Sequence, residues 1–370
     1  MNIGRRVALG LVLITAFVLL MDVDRAPGGQ PATKSPLIGI KIYDYTGDFA
    51  ELFKEWRGLG INTAFVSPAL EAKPGFRQLA RENGIATFLI LPIFYNVEAL
   101  EKRPDLAAIN KTGQVASEDW VKFVCPSRPD YRRQMVDHVT KLVKELDPDG
   151  ISLDFIRDFV FWEMVYPDRT LDSLPNSCFC PNCLEKFQAD TGFKIPSSLK
   201  ETPDIARWLL ANHQAAWTDW KCGLITGMVK ELVADARKVK PGIKVNIHAV
   251  PWRSNDFGGA ARIVAGQDLA AMSASSDYIS PMCYHHMVKQ TPAWVHSVVE
   301  DVSRRVRVPV LPSIQVKEAY IPDTLSAAEF KEALIEALKP PSRGAVFWSW
   351  DSLGKDPDKK AVVKSLCGGK

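Results

Sequence analysis

The chain has 370 residues, of which 46% are hydrophobic and 24% charged, and its net charge is +3. This is ordinary globular composition, long enough for one large domain. Lys and Arg are scattered rather than gathered into a stripe, which argues against a nucleic-acid partner.

Arg5 and Arg6 precede an apolar run from Val7 to Met21. A basic start followed by such a run describes a signal peptide or a membrane anchor over residues 1–22. The run is shorter than a comfortable bilayer span. Residues 23–36 are rich in Pro and Gly and read as a linker. The expected location is periplasmic or extracellular, with membrane contact only through this segment. The arginine pair also permits twin-arginine export of a folded protein.

Eight apolar runs follow: "LIGIKIYDY" (37–45), "INTAFVSP" (61–68), "IATFLILPIFYN" (85–96), "GISLDFIRDF" (150–159), "IKVNIHAVPW" (243–252), "DYISPMCYHH" (277–286), "VPVLPSIQVKEAY" (308–320) and "GAVFWSWDSL" (344–353). Continuous apolar runs suit strands buried on both faces, and helical patterns alternate with them. Asp48 is placed to cap the first helix, and another helix is expected from Pro129 to Leu146. The expectation is a single (β/α)8 TIM barrel over 37–370, with enlarged loops after strands 3 and 4. A doubly wound sheet is the alternative, but no Gly-rich phosphate loop opens a helix.

Barrel chemistry sits where strands end. The strand ends offer Tyr43, Asp44, Tyr95, Asn96, Asp154, Arg157, His248, Trp252, Tyr284, His285, Gln315, Trp348, Trp350 and Asp351. Of these, Asp44, Tyr95, Asn96, His248, Trp252, Tyr284, His285, Gln315, Trp348, Trp350 and Asp351 are candidates for substrate contact. Aromatic faces suit sugar rings, although most aromatics fill cores. Asp154 places a charge inside an apolar strand, which is costly unless the charge is paired or used. Arg157, three residues on, is placed to orient it.

The run "DGISLDFIRDF" resembles the DGI-x-x-D-[YF]-[IV]-R segment of a family of glycoside hydrolase-like TIM barrels. "DYISPMCYHH", "LPSIQ" and "GAVFWSWDSL" resemble that family's sixth-, seventh- and eighth-strand segments, in the same order. The resemblance implies carbohydrate as the substrate and no organic cofactor. Glycoside hydrolysis uses two carboxyl groups across the scissile bond. Asp154 is the first. Asp256, beside Gly258 and Gly259 in the fifth loop, is the preferred second, with Glu163, Glu318 and Asp351 as competitors.

Cys178, Cys180 and Cys183 form a C-x-C-x2-C cluster, and Cys125 lies upstream in "CPSRPDYR". Three thiolates ask for a fourth ligand in a closed structural zinc site. Disulfides such as Cys180–Cys183 or Cys125–Cys178 are the alternative in an oxidising compartment. Both segments resemble the C-P-x-S-P-x-[YF]-R and C-[YF]-C-x2-C motifs of the zinc-bearing bacterial β-galactosidases. That resemblance implies that Cys125, Cys178, Cys180 and Cys183 hold one structural zinc. The same enzymes carry Asn-Glu where this chain has Asp154-Phe155, and a nucleophilic Glu where it has Gln315. The metal clasp therefore carries over and the catalytic pair does not. The expected function is an exported or tethered glycoside hydrolase. A non-catalytic carbohydrate-binding barrel is the alternative. A metal-dependent deacetylase would instead need His248, His285 and His286 around an open metal site.

Overall fold

Strand alternation organises the molecule. A computed structural model describes residues 36–368; the expected leader and the linker up to residue 35 lie outside the described residues. Eight parallel strands follow in order: β1 Leu37–Ile42, β2 Thr63–Val66, β3 Ala86–Pro92, β4 Gly150–Asp154, β5 Lys244–Ala249, β6 Tyr278–Pro281, β7 Ser313–Gln315 and β8 Gly344–Trp348. Neighbours in sequence pair from β1 to β6, β7 pairs with β8, and β8 pairs with β1. Between β6 and β7 the ladder thins to the bridges Ile279↔Val310 and Met282↔Ser313. Pro281, Pro309 and Pro312 lie there without amide hydrogens, so fewer ladder bonds are available. The result is a nearly closed (β/α)8 barrel, as the sequence pattern predicts.

Helices follow the strands. Asp48 accepts hydrogen bonds from the Ala50 and Glu51 amides and caps helix Phe49–Gly58. Pro129 opens helix Pro129–Leu146 at its first turn, where a missing N–H costs nothing. The loop after β3 carries helix Val97–Lys102 and a small hairpin, Ser117–Glu118 with Val121–Lys122. The loop after β4 carries helices Pro181–Thr191 and Thr202–Asn212 before the long helix Gln214–Val239. Among the described residues no helix is long and apolar enough to cross a membrane.

Outward-facing strand residues such as Ile38, Ile40, Ile42, Ile151, Leu153, Val245 and Ile247 pack under the helices in one large core. The inward faces make a separate stack. At its base Phe65, Phe88, Ile90, Leu311 and Val346 form an apolar plug. Two glycines make room for it. A Cβ on Gly39 would stand 2.7 Å from the Phe65 ring, and one on Gly150 would stand 2.3 Å from Phe88. Small residues opposite large ones let the layer interdigitate at interior density.

Candidate active site

Going up the barrel, the inward positions turn polar. Asn246 Nδ2 donates to Ser152 Oγ (2.8 Å), Ser280 Oγ donates to Asn246 Oδ1 (2.8 Å), and His248 Nε2 lies 2.9 Å from Ser152 Oγ. These contacts satisfy Ser152, Asn246, Ser280 and one ring nitrogen of His248, while His248 Nδ1 is buried without a partner. Burial, aided by the Lys41 charge, pushes His248 down to about 3, so its imidazole is neutral.

Above that layer a cavity of about 270 Å³ opens at the C-terminal ends of the strands. It is lined by Lys41, Tyr43, Asp154, Arg157, Glu163 and Tyr284, with Trp120, Phe155, Met282, Tyr320 and Trp348 completing the wall. The alternation explains the membership. Lys41 stands two residues beyond Gly39, Asp154 two beyond Ser152, and Trp348 two beyond Val346. Lys41 Nζ donates to Tyr284 OH (3.1 Å), and Tyr284 OH lies 3.3 Å from Ser313 Oγ. Trp348 stacks on Tyr284, with centroids 4.7 Å apart and planes at 16°.

Asp154 is 9% exposed. Phe155 adopts φ of 48°, a left-handed conformation that costs a side-chain-bearing residue about 1–2 kcal/mol. There its N–H donates to Asp154 Oδ1 (2.8 Å) and its ring stacks on Tyr95 (4.9 Å). Burial opposes ionisation of Asp154. The positive surroundings of His248 and Lys41, the Phe155 amide and Arg157 outweigh it and hold the carboxyl below the ordinary carboxylate value. Because His248 is neutral at pH 7, the contributions present near neutrality are those of Lys41, the amide and Arg157. Burial in turn pushes Lys41 down to about 8, and Asp154 counteracts part of that shift.

Glu163 has the opposite environment. Burial pushes it up to about 7 against the charge of Arg157, and Asp154 pushes in the same direction as burial. Its Oε2 is buried without a hydrogen-bond partner. Arg157 does not clamp Asp154. Its Nη1 donates to the Val160 carbonyl (3.0 Å), and its guanidinium lies over the Phe123 and Phe155 rings at 4.9 and 5.2 Å. It acts on both carboxyls through its field.

The structure thus gathers Asp154, Arg157, Tyr284 and Trp348 with the competitor Glu163, and leaves other candidates elsewhere. Asp256 lies in a different hollow with Trp252 and Phe257, where Arg253 grips it (Nη2–Oδ1 2.9 Å, amide to Oδ2 2.8 Å). Asp44 is exposed and pairs with Lys73 (2.6 Å). Asn96 caps helix Val97–Lys102 by accepting from the Ala99 amide, and Tyr95 backs Phe155. His285 and His286 share Glu329 Oε1 at 3.0 and 2.9 Å, apart from His248, so the three histidines do not assemble one metal site. Gln315 is spent on packing: it accepts from the Met287 amide and donates to the Lys317 carbonyl. Trp350 packs edge-on against Trp56 in the core (5.6 Å). Asp351 is exposed beside Ser349, and Glu318 accepts from the Leu325 amide. The sequence reading missed Lys41, Trp120 and Tyr320. Lys41 carried the same signal as Asp154, a charge at an inward position of an apolar strand. Trp120 and Tyr320 sit on loops with no local signal.

The four cysteines converge. Cys125, Cys178, Cys180 and Cys183 are buried, with their sulfurs all within 4.8 Å of one another. Cys125 Sγ lies 3.6 Å from Cys180 and 3.3 Å from Cys183, beyond the ~2.0 Å of an S–S bond. A tetrahedral metal with bonds of about 2.3 Å would set its sulfurs about 3.8 Å apart, so the cluster is the right size to hold an ion. The Ile109 amide donates to Cys178 Sγ (3.2 Å), an outer contact suited to a thiolate. Cys180 also starts helix Pro181–Thr191. The four thiols could bind a metal ion and would tie the β3 loop to the β4 loop, which bring Trp120 and Glu163 to the cavity.

No family model and no curated protein matches this sequence. Solved structures share its architecture. The glycoside hydrolase domain of PgaB (BpsB) from Bordetella bronchiseptica is similar over 89% of this chain and 98% of its own, with a TM-score of 0.67 at 13% identity. A β-galactosidase from the psychrophilic Marinomonas ef1 matches 90% of this chain with a TM-score of 0.66 at 10% identity. One from the Antarctic haloarchaeon Halorubrum lacusprofundi matches 89% with a TM-score of 0.64 at 12% identity. This chain spans 59% and 57% of those two β-galactosidases. At such identities the likeness is one of fold.

Proposed function

We propose that the chain is a glycoside hydrolase acting on an oligo- or polysaccharide, with Asp154 and Glu163 as its carboxyl pair. One observation carries the reading: a single aromatic-walled cavity holds two carboxyls that their surroundings drive apart, one kept ionised and the other kept protonated up to about 7. Such divergence is how paired carboxyls divide acid and base roles. Glu163 takes the place of Asp256 as the acid, because Asp256 is committed to Arg253 in another hollow. Glu163 donates its proton to the glycosidic oxygen as that bond breaks, and the departing sugar leaves as an alcohol. Asp154 supplies the negative charge that the electron-poor anomeric carbon needs. Water then adds its oxygen to that carbon and returns a proton to the carboxyl pair, releasing the ring as a hemiacetal. Lys41 and Arg157 hold Asp154 ionised, and the Trp348 face offers a stacking surface for a pyranose. The solved structures described as glycoside hydrolases and β-galactosidases support this reading through their shared fold.

The test is release of reducing ends from a panel of oligosaccharides by wild type and Asp154→Asn. Hydrolysis by wild type and its loss in the variant, with sugar binding retained, is the expected result. A second reading, a carbohydrate-binding barrel without catalysis, is favoured by the commitment of Gln315 to packing at the β7 end. It predicts binding without release in both proteins.

The cysteine cluster fits zinc by ligand type, number and spacing, and a four-thiolate site leaves no open position for chemistry. Its role would be structural. Export follows from the pattern over Arg5–Met21, and an N-terminal fusion to a reporter active only outside the cytoplasm tests it.

A further inference from the structure

Two loops meet above the cavity. Trp120 belongs to the loop after β3 and Tyr320 to the loop after β7, and in an eight-stranded ring those strands stand opposite one another. Trp120 Nε1 donates to Tyr320 OH at 2.9 Å. Phe161, from the β4 loop, packs edge-on against both, with centroids 6.0 Å from Trp120 and 5.3 Å from Tyr320. The two tips are held in left-handed backbone: Asp119 has φ of 50° and Tyr320 φ of 63°. Such conformations persist where surrounding contacts over-determine them. Trp120 and Tyr320 are nonetheless 42% and 40% exposed, so the arch is an outer wall, not core.

We infer that this arch restricts the cavity to one sugar ring at a chain end, making Trp120 and Tyr320 determinants of specificity. The inference rests on the carbohydrate reading above and narrows its substrate class to terminal residues. The space, about 270 Å³ and partly open to solvent, lies just below the ~300–1,000 Å³ of pockets for drug-sized ligands. A polysaccharide threaded through its middle would have to pass beneath a hydrogen-bonded span that crosses the mouth. A terminal ring enters under it and leaves the rest of the chain outside.

The experiment titrates the full chain with methyl glycosides of common hexoses and N-acetylhexosamines and with their matching trisaccharides, following quenching of tryptophan fluorescence. Trp120 and Trp348 in the cavity wall supply the signal. For a sugar that binds, a one-ring site gives glycoside and trisaccharide Kd values within about threefold of each other. In Tyr320→Ala the trisaccharide is expected to bind at least about tenfold tighter than the glycoside. Tyr320→Phe, which removes only the hydrogen bond, should shift the ratio in the same direction and guards against a folding defect. A trisaccharide preference of about tenfold or more in wild type overturns the inference and leaves the hydrolase reading intact. Equal binding with no hydrolysis of any panel member overturns the hydrolase reading and leaves the inference standing. No binding by any sugar overturns both.

Discussion

The two ends of the barrel interior are built by the same strands to opposite purposes. At the base, Phe65, Phe88, Ile90, Leu311 and Val346 exclude water and leave no group that titrates. One or two inward positions higher, Lys41, Asp154, Tyr284 and Trp348 surround an open space. Stability belongs to the plug, where volume is matched ring against glycine. Charge gathers at the rim, where burying Lys41 and Asp154 carries a desolvation cost that the plug avoids. The contrast shows that a two-residue step along a strand is enough to pass from an apolar fastening layer to a charged one.

Substitutions can break or sharpen this contrast. The largest effect is expected from Asp154→Asn, which should lower kcat/KM by about 10⁴-fold or more. Glu163→Gln should cost about 10²–10⁴-fold and erase the alkaline limb of the activity profile. In wild type that limb falls as pH rises through about 7, because the acid must be protonated. The acidic limb falls as Asp154 protonates, below the ordinary carboxylate value. The same shift has a stability consequence. Folding raises Glu163 from 4.5 to about 7, so its protonated form stabilises the fold below 4.5 and that contribution is lost as pH rises through 7. Glu163→Gln should therefore melt higher than wild type at pH 8.

Phe88→Ala addresses the plug. It should lower unfolding free energy by about 3–5 kcal/mol in denaturant titration while leaving kcat unchanged in the folded fraction. Cys183→Ser should abolish an equimolar zinc content measured by elemental analysis and loosen the β3 and β4 loops to proteolysis. Retention of full zinc would point to ligands elsewhere. Asp256→Asn should have the smallest effect, within about threefold in kcat/KM, since its ion pair with half-exposed Arg253 lies in another hollow. A loss like that of Asp154→Asn would return the acid role to Asp256.

Much of the fold was legible because its signals are local. Continuous apolar strands, Pro129 opening its helix and Asp48 capping another depend on near neighbours. Asp154 was legible for a related reason: a charge in an apolar strand must be explained wherever the strand goes. The Cys125 partnership with Cys178, Cys180 and Cys183 came from motif resemblance, since no spacing rule joins residues so far apart. Glu163 was visible only as one acid among several. Its loop gave no hint that burial would raise its pKa while Asp256, flanked by inviting glycines, would be gripped by Arg253.

The sequence by itself determined the eight-strand alternation, the inward parity of Lys41 and Asp154, and the supply of four thiols. Strand periodicity and side-chain chemistry are properties of the chain at short range. Tertiary structure alone decided that Glu163 joins Asp154, that His248 lies beneath the cavity instead of lining it, and that Trp120 and Tyr320 meet across the mouth. Those outcomes depend on how long loops from opposite strands fold back over the barrel. Desolvation and contact between residues as distant as 120 and 320 exist only once the chain has closed on itself.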